Sequence, residues 1–354
     1  MPDRYTPTQT SQCEYCREKA TRSTADGFVP RISVIIGTFD CESFVEECVQ
    51  SVVTQTEKDI EIIVVDDGST DRTLTILKKM QSQDSRILVH SQAHSGFPGC
   101  TRNHGIACAR GRYIAFLDGD DLYHPHKIER VLSAFDTHPE LDVVIHDLMH
   151  FDSSPPRADS DSYLTRGRFL ELMGDSLERA ANGVYLCERD LYKFMSLRFV
   201  PFCTDSIVVK KEVLLAEPEW FREDLRIGED GELWLRLAKK RLFAFINEPL
   251  SYYRQRAGSV TGDQELFLKR TIQIHRENLL RGSDIFDASD LRSYKAKIAG
   301  LFFDLGFECF RKLKLQEARA AYMDSLALQF HPAVLLAFLK TFVPYRLIQL
   351  TRNE

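Results

Sequence analysis

The sequence predicts an α/β fold, a mostly parallel sheet flanked by helices on both faces, with an all-helical region after it. Three observations predict it. β-branched runs of strand length alternate with amphipathic stretches of helical period between residues 32 and 145. Two of those runs stop in clustered acids, Asp66-Asp67 and Asp118-Gly119-Asp120-Asp121. Ligand sites of open parallel sheets lie just beyond strand carboxyl ends. From about residue 264 the pattern is helical to the last residues.

The elements follow in order. Ile32-Ser33-Val34-Ile35-Ile36 reads as a buried strand. Ser43 with Glu46 reads as a capping box for a helix with Val45, Cys48, Val49 and Val52 inward. Residues 60–65 form the next strand, a helix with Leu74, Leu77 and Met80 follows, and 87–90 is a third, shorter strand. Gly96-Phe97-Pro98-Gly99 opens a helix to Ala109, and Gly111 precedes a strand over 113–117. Pro125 suits a first helical position, and Ile128, Val131, Leu132 and Phe135 then repeat at helical spacing. Residues 141–145 and 206–209 read as strands, 164–200 as mixed and mostly helical, and 229–241 as a helix. The Asp-, Ser- and Pro-rich stretch 152–162 reads as a loop. These elements predict a lead-in over 1–29, a catalytic domain over 30–262 and a helical region over 263–354.

Composition narrows the function. The chain has 354 residues, 44% hydrophobic and 28% charged, enough for a substantial core. A net charge of -6 gives no reason to expect a nucleic-acid partner. Nine irregularly spaced cysteines read as reduced thiols of an intracellular protein. Cys13-Glu14-Tyr15-Cys16 is a lone CxxC without the second pair that a zinc site needs. No secretory leader is expected at the start, and no window reaches the roughly 18 apolar residues of a membrane span.

The acids carry the chemistry. Three carboxylates within four residues, Asp118, Asp120 and Asp121, repel one another unless a positive charge joins them. A crevice this acidic accepts a phosphate group that arrives with Mg²⁺ or Mn²⁺, hard cations that prefer oxygen ligands. The bland alternative is that the acids cap helices, as Asp71 is placed to do.

The segments Ser33–Asp40, Val64–Asp71, Arg102-Asn103-His104-Gly105 and Phe116–Asp121, with Ile227–Leu237, resemble a family 2 glycosyltransferase in order and spacing. The resemblance covers roughly 30 to 260. It implies the GT-A fold and inverting sugar transfer from a nucleotide-diphosphate donor, a UDP-sugar first. The acceptor would be a glycan or lipid-linked hydroxyl, as in surface polysaccharide biosynthesis. Position by position it implies Thr38 and Asp40 in the first donor loop, where relatives usually read Pro-Thr-Tyr-Asn. It further implies Asp67 on the base and Arg102 opposing the negative donor. Asp118 and Asp120 would form the DxD motif, Asp118 near the ribose and Asp120 on the metal. Asp230 would be the general base, with Glu229 the second candidate or an orienting group. Arg256 stands where relatives often carry His and is a candidate phosphate contact, although it cannot ligate a cation.

Lesser candidates surround these. His94 and Ser95 are expected to shape the donor loop. Thr204, Asp205 and Ser206 are candidate acceptor contacts, as are Trp220 and Trp234, the latter also readable as core. His124 and His126 read as surface residues at a helix start. Asp121 either starts the next helix or fixes its neighbours. Residues 301–326 resemble one tetratricopeptide hairpin or simply pack on the domain, and 333–350 could lie on a membrane surface. The expected location is therefore cytoplasmic, with a peripheral position at the inner face of the cell membrane. Competing readings are weaker. A haloacid-dehalogenase-type phosphatase wants Thr or Val where Leu122 stands, and no GxGxxG follows the first strand. A catalytically degenerate scaffold acting through the helical tail would not need so complete a set of acids.

Overall fold

The computed structural model describes residues 29–152, 169–187, 190–255 and 263–343. The predicted lead-in up to residue 28 with Cys13 and Cys16, the loop from 153, Arg256, and the segment beyond 343 lie outside the described residues. The chain forms two compact units, Met1–Leu191 with Val200–Ala257, and Tyr192–Phe199 with Gly258–Glu354.

The first unit is built on one mixed sheet. Its strands are β1 (Ile32–Thr38), β2 (Ile60–Asp66), β3 (Ile87–Ser91), β4 (Tyr113–Asp118), β5 (Leu122–Tyr123), β6 (Val143–Phe151), β7 (Leu177–Arg179), β8 (Val184–Cys187), β9 (Ile207–Lys210) and β10 (Phe243–Arg254). They lie in the order β3-β2-β1-β4-β9-β6-β10-β8-β7, and β5 pairs with β10. The half from β3 to β4 is parallel, as is the β6–β10 pair, whereas β9 runs antiparallel between β4 and β6.

Register explains where the acids meet. Thr38 lies opposite Asp66, and Gly37 lies opposite Asp118. Both acid clusters therefore flank the carboxyl end of β1. A Cβ on Gly119 would sit 2.9 Å from Thr38 Cγ2 and 3.0 Å from the Gly37 carbonyl oxygen. This glycine serves the chain's own close approach.

Helices α1 (Val45–Val53), α2 (Thr73–Gln83), α3 (Pro98–Cys108) and α4 (Lys127–Thr137) cover the sheet. Alternation in β1 divides the core. Val34 and Ile36 join a cluster with Val49 and Val52 of α1, Leu77 of α2 and Ile128 of α4. Ile35, between them, meets α3 at Gly105, where a Cβ would lie 2.3 Å from its Cγ2. The first unit also holds α5 (Phe169–Met173), the single turn Thr204–Ser206, α7 (Lys211–Leu215) and α8 (Glu229–Ala238). Helix α6 (Asp190–Leu197) falls mostly in the residues counted with the second unit.

Several local expectations are corrected. No capping box forms at Ser43 and Glu46, because α1 starts at Val45 and residue 44 makes no side-chain cap. Pro125 stands before α4, whose first residue is Lys127. The stretch 164–200 contains the β7–β8 pairing as well as helix.

The second unit is helical, with α9 (Gln264–Arg281), α10 (Ala288–Arg311), α11 (Leu315–Leu328) and α12 (Pro332–Lys340). Asp287 and Asp290 close a capping box on α10. Buried Phe302 and Leu305 on α10 and Ala318, Ala321 and Tyr322 on α11 make the hairpin's apolar face. No described helix is long and apolar enough to cross a membrane.

Replacing Gly105 by alanine tests the α3–β1 contact. Alanine is intrinsically better in a helix by about 1 kcal/mol, but the buried Ile35 leaves the added methyl no space. We expect a net loss of about 1–3 kcal/mol in urea unfolding. Equal or greater stability would show that the two elements can separate freely.

Candidate active site

The acids beyond β4 are tied in place by buried basic side chains. Arg102, on α3, is 6% exposed. Its Nη2 donates to Asp118 Oδ1 at 2.7 Å and its Nη1 to Glu229 Oε1 at 2.5 Å. The guanidinium lies 5.4 Å from the centroid of the Phe221 ring. One side chain thus ties the end of β4 to the first turn of α8. Burial opposes its charge, but Asp118, Glu229 and Asp230 outweigh burial and raise its pKa. Glu229 shows the other side of this arrangement. Burial pushes its carboxyl up to about 7, and Arg102 offsets only part of that push because Asp230 adds to it.

A second compensation lies beneath the turn 118–121. Asp121 is 1% exposed, and its Oδ1 accepts the Arg254 backbone N–H at 2.6 Å. The Arg254 side chain donates from Nε to the Asp120 carbonyl at 2.7 Å and from Nη2 to Glu47 at 2.8 Å. Asp205 accepts the Asp118 N–H at 2.9 Å. Lys127, fully buried, donates to the Asp205 carbonyl and lies 3.3 Å from the centre of the Tyr123 ring. Burial and mutual repulsion raise Asp121 well above the ordinary carboxyl range, and burial lifts Asp205 to about 6. Asp121 therefore fixes its neighbours, one of its two expected roles. The wider roles of Asp205, Lys127 and Arg254 were not legible in the sequence.

The loops after β1, β2 and β3 are joined by hydrogen bonds to neutral partners. Asp67 Oδ1 accepts from Gln92 Nε2 at 2.8 Å and Ser95 Oγ at 2.9 Å, and its Oδ2 accepts the Gly96 N–H at 3.0 Å. His94 Nδ1 lies 3.0 Å from the same carboxylate. Asp67 is thus engaged in holding the 92–96 loop, and a nucleobase would have to displace one of these bonds to reach it. Thr38 is buried, with its Oγ1 3.4 Å from Asp66 Oδ1. Asp40 has a left-handed backbone, φ 44°, and accepts the Thr70 N–H at 2.7 Å. Phe39 between them is exposed and stacks on His94 with ring centroids 4.0 Å apart. This aromatic pair, missed in the sequence, forms a flat wall beside the donor loops.

Asp230 differs from its neighbour Glu229. It is only partly buried, and its Oδ2 accepts from Thr204 Oγ1 at 3.0 Å while Oδ1 accepts the Gly231 N–H at 2.7 Å. Thr204 is therefore a partner of Asp230. Trp234 is fully buried in an edge-on contact with Phe221 and belongs to the core. Trp220 donates to the Leu214 carbonyl, and His126 pairs with Glu129 of its own helix.

The donor chemistry fits a hard cation. Carboxylate oxygens of Asp118, Asp121 and Asp205 lie within 4.8 Å of one another, and Asp121 Oδ2 is buried without a hydrogen-bond partner. Asp120, the residue expected on the metal, is outside this trio and is half-buried beside it.

Glu229 gives a signed pH test. Its folded-state value near 7 exceeds the ordinary 4.5, so the folded state binds this proton more tightly than the unfolded chain. Wild-type stability from this group falls as pH rises from 4.5 through 7. The stability of Glu229→Gln relative to wild type should therefore rise across that window in urea titrations. A flat or falling difference would mean that Arg102 fully neutralises Glu229.

Residues 33–198 match the family model for glycosyl transferase family 2. EpsJ of Bacillus subtilis, an uncharacterized glycosyltransferase, is 30% identical over 239 residues, 66% of this chain and 63% of that protein. An uncharacterized glycosyltransferase of Nostoc is 30% identical over 248 residues, 66% of this chain and 70% of that one. Glycosyltransferase GlyG of Streptococcus pneumoniae is 31% identical over 231 residues, 65% of this chain and 72% of the relative. Among solved structures, S. aureus TarS in complex with UDP-GlcNAc aligns with TM-score 0.60 at 21% identity, over 84% of this chain and 81% of that one. The mannosyltransferase PcManGT of Pyrobaculum calidifontis, in complex with GDP-Man and Mn²⁺, aligns with TM-score 0.52 at 16% identity, over 95% and 89%. The structural likeness establishes the GT-A fold, and the sequence relatives place the chain in glycosyltransferase family 2.

Proposed function

We propose that the chain transfers a sugar, with inversion, from a nucleotide-diphosphate donor to a hydroxyl of a glycan or lipid-linked acceptor. The observation that carries this reading is the Arg102 bridge. It brings the Asp118–Asp121 turn and the Glu229-Asp230 pair, far apart in sequence, into one acidic crevice. Phe39 and the 92–96 loop held by Asp67 offer a site for the base. Thr38 and Asp40 set the shape of that loop pair rather than its charge. The GT-A neighbours named above are bound to UDP-GlcNAc and to GDP-Man, which supports a nucleotide-sugar donor here, a UDP-sugar first.

Asp230 is the proposed general base. The acceptor oxygen attacks the anomeric carbon, its proton passes to the Asp230 carboxylate, and the bond to the diphosphate breaks with its electron pair. Thr204 and the Gly231 N–H hold that carboxylate in place. Glu229 positions Arg102, which spreads positive charge beneath Asp118. Asp118 and Asp120 are proposed to face the donor and its Mg²⁺ or Mn²⁺, with Asp121 and Asp205 behind them. The cation, when bound, stabilises negative charge on the departing diphosphate as a Lewis acid. Arg256 is retained as a proposed phosphate contact.

A role in surface polysaccharide synthesis at the inner face of the membrane is consistent with the tail. Leu335, Leu336, Leu339 and Phe342 are exposed on and just after α12. They keep 333–350 as a candidate membrane-surface contact.

A panel of nucleotide sugars tests the reading. Asp230→Asn should lower turnover by about 10²–10⁴-fold while nucleotide diphosphate still binds. Chelation and Asp120→Ala should each abolish transfer, and added Mn²⁺ or Mg²⁺ should restore only the chelated wild type. Undiminished turnover in Asp230→Asn removes the base assignment, and transfer that survives both chelation and Asp120→Ala removes the metal.

A further inference from the structure

A second group of metal-ligating side chains lies away from the carboxylates. His90 stands near the end of β3, and His104 and Cys108 stand four residues apart on α3. That spacing puts the two helical residues on one face. One ligand atom from each of the three lies within 4.8 Å of the other two. The two imidazole rings are 5.3 Å apart between centroids. Zinc–nitrogen and zinc–sulfur bonds of about 2.0–2.3 Å bring tetrahedral ligands somewhat closer together than this. Small side-chain rotations on partly exposed residues would close that difference.

The ligand set is chemically different from the crevice. Two imidazoles and one thiolate suit a borderline-soft cation, whereas the all-carboxylate crevice suits a hard one. An outer partner is also present. His104 Nδ1 is 3.0 Å from Gln92 Oε1. A proton on Nδ1 donates to that amide oxygen and puts the ring's lone pair on Nε2, the arrangement that ligating histidines commonly show. The same Gln92 donates its amide N–H to Asp67 Oδ1 at 2.8 Å. His104 is therefore joined through two hydrogen bonds to the carboxylate that holds the 92–96 loop.

We propose that His90, His104 and Cys108 bind one divalent transition-metal ion, Zn²⁺ before others, with water completing its coordination. Binding releases the Cys108 thiol proton to solvent and leaves the metal oxidation state unchanged. The site does not depend on the proposed transfer reaction, because it uses none of the carboxylates assigned there.

The probe is Co²⁺ added to the metal-free full chain carrying Cys13→Ser and Cys16→Ser, which removes the CxxC as a competing thiolate source. We expect one equivalent to give a thiolate-to-cobalt charge-transfer band that Zn²⁺ abolishes by displacement. Cys108→Ser should eliminate that band, and His104→Gln should weaken Co²⁺ affinity by about 10-fold or more. Should His104→Gln fail to fold, His90→Gln is expected to give the same weakening. Circular dichroism of each metal-free variant checks that the fold is kept. Absence of a thiolate band in the starting protein, or a band that survives Cys108→Ser, would overturn the site. Cobalt bound only by crevice carboxylates gives no thiolate band and counts as the overturning result.

Discussion

The first unit is organised around a problem of charge. Asp118, Asp121, Asp205, Glu229 and Asp230 converge where three segments of chain meet, and most of their oxygens are shielded from water. Like charges at such separations in a poorly solvated region oppose folding unless they are compensated. Arg102, from α3, compensates two of them directly. Burial lowers the Lys127 pKa well below its ordinary value, so this side chain, from the first turn of α4, serves as a hydrogen-bond donor to the Asp205 carbonyl. Arg254, from the end of β10, gives its guanidinium to the Asp120 carbonyl and Glu47 and its backbone N–H to Asp121. Each comes from a different element, so the crevice forms only when the sheet and both helices are in place. The assembly of the fold and the assembly of the site are one event.

The compensation is incomplete by design of the geometry. One guanidinium serves Asp118 and Glu229 with Asp230 close by, and Asp121 keeps an oxygen without a partner. Burial and repulsion raise the Asp121 pKa, which favours its neutral form and takes one charge out of the group. On the proposed reading, a cation arriving with a diphosphate would meet the carboxylates that stay ionised.

Much of the fold could be read along the chain. The apolar runs of β1, β2 and β4, and the acids that end β2 and β4, stand out from local pattern alone. Strand β10 did not, because Phe243–Arg254 is interrupted by Pro249 and shifts register on either side of it. The acids of the site were legible because each follows a strand or opens a helix. Their partners were not. Asp205 reaches Asp118 across 87 residues of sequence only because β9 inserts antiparallel between β4 and β6. Lys127 looks like an ordinary exposed helix-start lysine until its burial is known. Arg102 was expected to face the donor, yet its charge is already committed to carboxylates. The expected capping box at Ser43 failed for a related reason, since the turn before α1 is fixed by contacts with residues 71–73.

The Asp67 arrangement bears on how such a protein changes its choice of donor over evolutionary time. A carboxylate that touches the base directly would make nucleotide preference hinge on one side chain. Here the carboxylate is the hub of a loop. On the proposed reading that this loop faces the base, exchange of residues 92–97 would be the economical route to a new nucleobase, with the hub unchanged. The same hub touches the His104 chain through Gln92, so drift in that loop also alters the surroundings of a thiol and two imidazoles. Two properties that natural selection could otherwise tune separately are tied to one short segment.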